Sequence, residues 1–486
     1  MSPPLSDAQN VESSSSSSNV IVVMVPYLAQ GHLNQLLHLS RLIASYDLPV
    51  YYTGFTVDIS LARQRVHGWD PLAYPNLRFH SFPTPPSYLS GASSGHQSES
   101  FSDIVTSVVN GPKHLRGPIA ELLDDLSPKC GRLVVVYDSL MATAVQEVAF
   151  IPNAEAYSFH AASAFTNATI AWEVVAKILR LPSFLSKLAG KFLLPAGAII
   201  PDDLPSLESC FLPEFLKFLS VQRASAKFCS GNLYDTCRPM EGPYLDILAK
   251  LYRFTGKGKL WAIGPLNPLS TNPAKQRHRC LEWLDKQPPK SVVLVSFGTL
   301  TSLSDEQISE LAKGLEQSQQ KFIWVVRDVL KGENGRIGLP EGYQDRVEGR
   351  GLILRDWAPQ LEILDHPSTG AFLTHCGWNS CMESISRGVP LATWPIHFDQ
   401  PRNALLMTEV LKIGIAVKDW ARRNEVIPSE TVRKAVEKLM ASPEGEKLRT
   451  RAAALGKDVK QSVMDGGGSR LEMANFITHI TRQNYA

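Results

Sequence analysis

Two acid–base residues and one dense polar segment carry the chemistry of this 486-residue chain. His32 closes the stretch Pro26-Tyr27-Leu28-Ala29-Gln30-Gly31-His32, and Asp138 ends the β-branched run Arg132–Tyr137. A hydroxyl is a weak nucleophile near neutral pH, and a neutral imidazole can take its proton as it attacks. A carboxylate on the other ring nitrogen fixes the tautomer and stabilises the imidazolium that forms. Taken singly, each residue has a plainer reading. A histidine at a helix start caps or is solvated, and an aspartate after a strand belongs to a turn.

The polar segment runs from Trp357 to Gln400: WAPQLEILDHPSTGAFLTHCGWNSCMESISRGVPLATWPIHFDQ. Its strand Ala371–Thr374 ends at His375, and Cys376-Gly377-Trp378-Asn379-Ser380 leads into a helix. Gly377 lets backbone approach a ligand, and a helix start offers unpaired N–H groups and a positive dipole end that suit a phosphate. His375, Asn379 and Ser380 add side-chain donors there. Glu383, about one turn further on, can accept from two vicinal ribose hydroxyls. The Trp357 ring can stack on a flat base, and Asp399 with Gln400 can bond sugar hydroxyls. Alone, Trp357 reads as packing, Glu383 as a solvated helix residue and Asp399-Gln400 as a helix start. Their joint spacing favours one ligand with base, ribose, diphosphate and sugar in order.

These residues need a scaffold with two clefts' worth of strand ends. Asn19–Val25 (NVIVVMV) reads as a buried parallel strand, followed by a turn and a helix from about His32 to Ser45 whose Leu33, Leu36, Leu37 and Ile43 share a face. Beyond Pro-rich Gly264–Lys275 the alternation restarts. Ser291–Ser296, Phe322–Val326, Leu352–Arg355, Ala371–Thr374 and Leu391–Trp394 read as strands, and Ser304 with Gln307 as a capping box opening a helix to Gln317. Phe82–Gln97 reads as irregular and Ala162–Ser220 as mixed helical insertions over a cleft. The pattern predicts an α/β protein of two doubly wound domains, 19–263 and 276–465, joined by a linker at 264–275. Residues 1–18 read as a disordered tail and 466–486 as a C-terminal helix packing back on the first domain.

Composition sets the outer bounds. The hydrophobic fraction is 44%, the charged fraction 20% and the formal net charge +2, which leaves no footprint for nucleic acid or a highly charged partner. Seven cysteines without CxxC spacing predict reduced thiols. No run reaches the ~20 apolar residues of a membrane span, so a cytoplasmic protein without membrane insertion is expected. A dehydrogenase GxGxxG after a strand is missing, and the only GxSxG, Gly91–Gly95, sits in a loop.

The 357–400 segment closely resembles the secondary-product glycosyltransferase box of the plant UDP-dependent glycosyltransferases, matching WAPQ, HCGWNS, Glu383 and the terminal Asp-Gln without a gap. The resemblance implies the two-domain GT-B fold, a UDP-sugar donor (UDP-glucose or UDP-xylose), a small-molecule acceptor, no metal and a monomer. It implies that Trp357 stacks on uracil, Ala358 bonds it through backbone, and Gln360 and Glu383 meet ribose. His375, Asn379 and Ser380 would meet the diphosphate, and Trp378, Asp399 and Gln400 the sugar. Ser296-Phe297-Gly298-Thr299 matches the family's phosphate loop, so Thr299 is a further phosphate contact. The entry motif through His32 and VVVYDS at Val134–Ser139 match its catalytic base and aspartate partner. Where most members have proline two residues after this histidine, the chain has Asn34. The version GHLNQLLHLSRLI, with HFDQPRNA at His397–Ala404, resembles the zeatin O-glycosyltransferase branch. The implied reaction is inverting transfer, with glucose favoured over galactose by Gln400, and without the Asp-x-Asp that metal-dependent transferases use.

Overall fold

The computed structural model describes residues 19–64, 66, 69–86, 101–178, 195–269, 277–298, 303–326, 338–355 and 357–483. Its strands form two sheets in which every pairing is parallel. The first holds β1 (Val20–Val25), β2 (Val50–Phe55), β3 (Leu77–Phe82), β4 (Arg132–Asp138), β5 (Ala154–His160), β6 (Cys229–Tyr234) and β7 (Lys259–Ala262), in the order β3-β2-β1-β4-β5-β6-β7. The second holds β8 (Val292–Ser296), β9 (Lys321–Val325), β10 (Gly351–Leu354), β11 (Thr369–Thr374), β12 (Leu391–Thr393) and β13 (Gly414–Ala416), in the order β10-β9-β8-β11-β12-β13.

Both sheets reverse their strand order at one place, between β1 and β4 and between β8 and β11. The connections on either side leave opposite faces there, so a crevice opens beyond the carboxyl ends of those strands. Helices cover both faces, which is why β4 (RLVVVYD) is buried at all seven positions and reads as a continuous apolar run. Separate apolar cores fill the two faces of each sheet. A fifth core joins the halves: Phe165, Tyr244 and Leu248 pack with Trp378, Met382, Ile385 and Met407.

Local structure departs from the sequence reading in three ways. The first helix is Gln30–Ala44, so His32 lies in its first turn and not at its start. Ala29 occupies the cap without a side-chain bond, and no Ser, Thr or Asp marked the boundary. Only half of the expected capping box forms. Ser304 Oγ accepts from Gln307 N at 3.2 Å, but the Gln307 side chain turns to the backbone of Ile427 instead. Third, β2, β3, β5, β6, β7 and β13 are strands that the sequence reading passed over. β6 (CSGNLY) carries too many small and polar residues to announce itself, and tertiary pairing decides it. Residues 162–220 contain the helices Ala164–Ile178, Leu207–Cys210 and Pro213–Ser225. The tail 1–18, most of 82–97 and 270–275 of the linker lie outside the described residues.

The last helix, Gly468–Ile480, lies on the first sheet. Met473, Phe476, Ile477 and Ile480 enter the core of Val20, Tyr157 and Trp261, and Arg132 Nη1 donates to the Ile480 carbonyl at 2.9 Å. Among the described residues no helix is long and apolar enough to cross a membrane.

Candidate active site

A cavity of about 400 Å³ lies where the two crevices meet. His32 lines its first-half side with Asp138 behind it, the two delivered by the segment after β1 and the end of β4, which pair in register through Val25 and Tyr137. His32 Nδ1 lies 2.7 Å from Asp138 Oδ2. Asp138 is completely buried and its other oxygen accepts from Leu140 N at 3.0 Å, while the His32 side chain keeps 27% exposure toward the cavity. Burial works against the imidazolium, but the charge and hydrogen bond of Asp138, with a smaller contribution from Asp399, raise His32 above its usual pKa. With Nδ1 committed to the carboxylate, Nε2 is the nitrogen available to an incoming hydroxyl.

The facing wall comes from 357–400. Trp357 is 42% exposed, enough to leave a ring face for a flat ligand, and Ala358 is buried beside it. Gln360 Nε2 donates to Glu383 Oε2 at 2.6 Å and to Ser380 Oγ at 3.2 Å. Burial pushes the Glu383 carboxyl up to about 7, although Gln360 and Arg387 pull the other way. A buried carboxylate so placed gains strongly from hydroxyl donors.

The helix Trp378–Arg387 starts at Gly377 with no acidic residue in its first turn, so its first N–H groups face the cavity unopposed. His375 sits just before it. Burial, helped by His397, holds His375 down at about 3, making it a neutral donor. Its ring is wedged between two glycines: a Cβ at Gly298 or Gly377 would lie 2.6 or 2.5 Å from Nε2. Gly298 also has φ +78°, which a side chain would strain. Between them Cys376 is held at φ +66°, a costly conformation for a residue with a Cβ, where it bends the chain sharply into the helix.

Other predicted contacts are already engaged within the protein. Asn379 Nδ2 donates to the Gly31 carbonyl at 2.9 Å, and its Oδ1 accepts from Gln35 Nε2. The Trp378 indole donates to the Asp235 carbonyl at 2.9 Å, crossing to the first half. Gln400 Oε1 accepts from Ile396 N and His397 N, both at 3.0 Å, and its Nε2 meets His397 Nδ1 at 3.1 Å. Asp399 Oδ2 accepts from Asn403 Nδ2 at 2.8 Å. These bonds set the loop before the helix Gln400–Leu405, and Trp378, Asn379, Asp399 and Gln400 all remain on the cavity surface. Thr299 lies outside the described residues.

Sequence reasoning missed the residues that lock this wall to the first half. The fully buried Arg402 reaches Glu173 at 2.5 Å, Thr169 Oγ1 at 3.1 Å and the Pro205 carbonyl at 2.9 Å. Asn403 Oδ1 accepts from Ser163 Oγ at 2.8 Å. Both residues stand within HFDQPRNA, three and four positions past Asp399, so helical spacing was the signal that could have found them. Glu173, Thr169 and Ser163 lie on or beside Ala164–Ile178, which lines one end of the cavity with Thr166, Asn167 and Ile170. Phe211 lines this end with Phe215, their rings stacked 5.7 Å apart, and Phe165 packs in the core between the halves.

Two strand-order reversals facing one cavity, with an imidazole–carboxylate pair opposite an open helix start, define a two-domain sugar-nucleotide transferase of the GT-B architecture. Residues 18–268 match the glycosyltransferase N-terminal domain, and 262–459 match the UDP-glucoronosyl and UDP-glucosyl transferase family. The chain is 45% identical to zeatin O-glucosyltransferase of Phaseolus lunatus, covering 98% of this chain and 100% of that one. It is also 45% identical to zeatin O-xylosyltransferase of Phaseolus vulgaris, covering 96% and 99%. The crystal structure of Os79 from O. sativa in complex with UDP superposes with a TM-score of 0.75 at 27% identity, over 94% of this chain and 100% of that one. The chain therefore belongs to the UDP-dependent glycosyltransferases, and it is an enzyme that transfers sugar from a UDP-sugar donor to an acceptor oxygen.

Proposed function

We propose that this enzyme glycosylates the side-chain hydroxyl of a zeatin-type cytokinin by an inverting displacement, with His32 as catalytic base. The observation that carries the mechanism is the 2.7 Å His32–Asp138 contact on the cavity wall opposite the helix start at Gly377. The acceptor oxygen attacks the anomeric carbon from the face opposite the diphosphate. His32 Nε2 takes the hydroxyl proton, Asp138 stabilises the imidazolium, and the bond to the UDP oxygen breaks. The N–H groups of the helix start and the neutral His375 meet the charge that builds on the leaving diphosphate. The reading needs no metal for that step.

In the same reading Trp357 and Ala358 hold uracil, Gln360 and Glu383 hold ribose, and Thr299, Asn379 and Ser380 complete the diphosphate site. Trp378, Asp399 and Gln400 face the sugar. For Asn379, donor binding then competes with its bonds to Gly31 and Gln35. The division of labour gives acceptor binding to 19–263 and donor binding to 276–465, in a cytoplasmic monomer. The acceptor assignment draws on the two zeatin relatives, one named for glucose and one for xylose.

Mass-spectrometric product detection tests it, with UDP-glucose and UDP-xylose offered against trans-zeatin, cis-zeatin, a flavonol and a monoterpenol. One hexosyl or pentosyl mass gain on a zeatin isomer is the expected result. Products on the flavonol or terpenol with none on either zeatin would overturn the acceptor assignment and leave the mechanism in place.

A further inference from the structure

At the acceptor end of the cavity two polar side chains, the half-buried His160 and the exposed Arg223, stand in the lining among apolar neighbours. His160 ends β5 and stacks on Tyr234, with ring centroids 4.3 Å apart and planes 10° apart. Its Nε2 lies 3.1 Å from Asn232 Oδ1. The Asn232 amide has one orientation, because its Nδ2 donates to the Lys257 carbonyl at 2.9 Å. Asn232 Oδ1 is thus the acceptor, His160 Nε2 carries the hydrogen, and Nδ1 carries a bare lone pair. Burial, against the bond to Asn232, holds this imidazole down at about 4, and the Arg223 charge lowers it further, so the neutral form persists at physiological pH. Among the described residues Nδ1 has no hydrogen-bond partner and is not fully buried, and His160 is a lining residue of the cavity.

Arg223 comes from the helix Pro213–Ser225 and lines the same end. It forms no ion pair or hydrogen bond with any described residue, although its charge is felt at His160, Tyr234 and Tyr252. Around the two stand Ile170, Phe211, Phe215 and Leu219. A wholly apolar acceptor filling this space would leave the His160 Nδ1 lone pair without a partner and strip water from the exposed Arg223 guanidinium.

We propose that His160 and Arg223 form a reading pair for an amino-substituted nitrogen heterocycle on the acceptor. An exocyclic N–H donates to His160 Nδ1, and a neighbouring ring nitrogen accepts from Arg223. The proposal rests on the cytokinin reading above and deepens it, since an N6-substituted aminopurine presents those two groups side by side. It assigns the pair to acceptor choice, on the stretch of wall that continues from the end of β4.

The test uses the full-length enzyme loaded with UDP, and 6-benzylaminopurine as a probe that keeps the aminopurine and has no aliphatic hydroxyl. Calorimetry compares wild type with Arg223→Met and with His160→Phe, which keeps a ring to stack on Tyr234. Each variant is expected to bind the probe about tenfold or more weakly, as loss of one hydrogen bond to a charged or well-oriented partner implies, with UDP affinity unchanged. Wild-type affinity for the probe in both variants, no probe binding to the wild type, or an equal loss for geraniol, which has no nitrogen, would overturn the proposal. The cytokinin reading fails separately. If zeatin is not glycosylated while the variants still lose the probe, the pair stands and that reading falls. If zeatin is glycosylated with the same KM in all three proteins, the reading stands and the pair falls.

Discussion

The second half builds its wall of the cavity from consecutive positions 357–400 and the nearby Ser296 and Gly298, whereas the first half gathers Tyr27, His32, Ser139, His160, Ile170 and Phe215 from separate elements. The two walls also differ in what their atoms do in the free protein. On the second-half side Gln360 and Glu383, Asp399 and Asn403, and Gln400 with its loop bond one another, so side chains are oriented before a ligand arrives. On the first-half side the His32–Asp138 pair is set, and polar His160 and Arg223 are spread among apolar Tyr27, Leu140, Ile170, Phe211, Phe215 and Leu219. A pre-bonded wall recognises one ligand closely, because moving any group disturbs several others. An apolar wall assembled from distant elements tolerates exchange of single residues. The difference predicts that donor affinity, acceptor affinity and chemistry respond to separate sets of substitutions.

The sharpest way to break that separation is His32→Ala. Turnover is expected to fall by about 10²- to 10⁴-fold, the usual worth of a positioned base, while calorimetry shows UDP affinity unchanged. A parallel loss of UDP binding would mean the walls are not independent. The pH profile adds a signature. Activity needs neutral His32, whose pKa Asp138 raises, so the rate falls as pH drops through a value above 6.5. In Asp138→Asn that acid limb moves to lower pH as the maximal rate declines.

Next in size is Glu383→Ala, expected to raise the KM for the UDP-sugar about 10- to 100-fold, the range for hydrogen bonds to a charged group, with the acceptor KM unchanged. An effect confined to kcat at saturating donor would contradict a ribose contact. The smallest expected change is Gly298→Ala. The new Cβ displaces the His375 ring, and φ +78° strains the backbone. Donor KM should rise about fivefold, with Tm lower by roughly 2–4 °C per kcal/mol of strain. A shift in acceptor KM instead would place His375 on the wrong wall.

Legibility in the sequence followed the same contrast. The 357–400 segment could be read because its polar residues stand at short separations along one continuous stretch of chain, at the starts of helices and the ends of strands. His32 and Asp138 could be read because each follows a β-branched run. Contacts closed by tertiary structure could not. Gly31 and Asn379 are 348 positions apart, and Arg402 and Glu173 are 229 apart, and no local pattern joins them. Residues such as His160 and Arg223 owe their place to β5 and to the helix Pro213–Ser225, a region whose mixed composition gave no periodicity strong enough to orient a face. β6 and β13 escaped for a related reason, since short strands with small or polar residues are specified by their neighbours.

The position of the Gly468–Ile480 helix has a mechanical consequence. The chain leaves the first half after β7, runs through the second, and returns after Val463 to end against Trp261 and Phe476's other neighbours on the starting sheet. The second half is therefore tied to the first at both of its ends as well as through the shared core of Phe165, Tyr244 and Trp378, so the cavity between them is held from three sides.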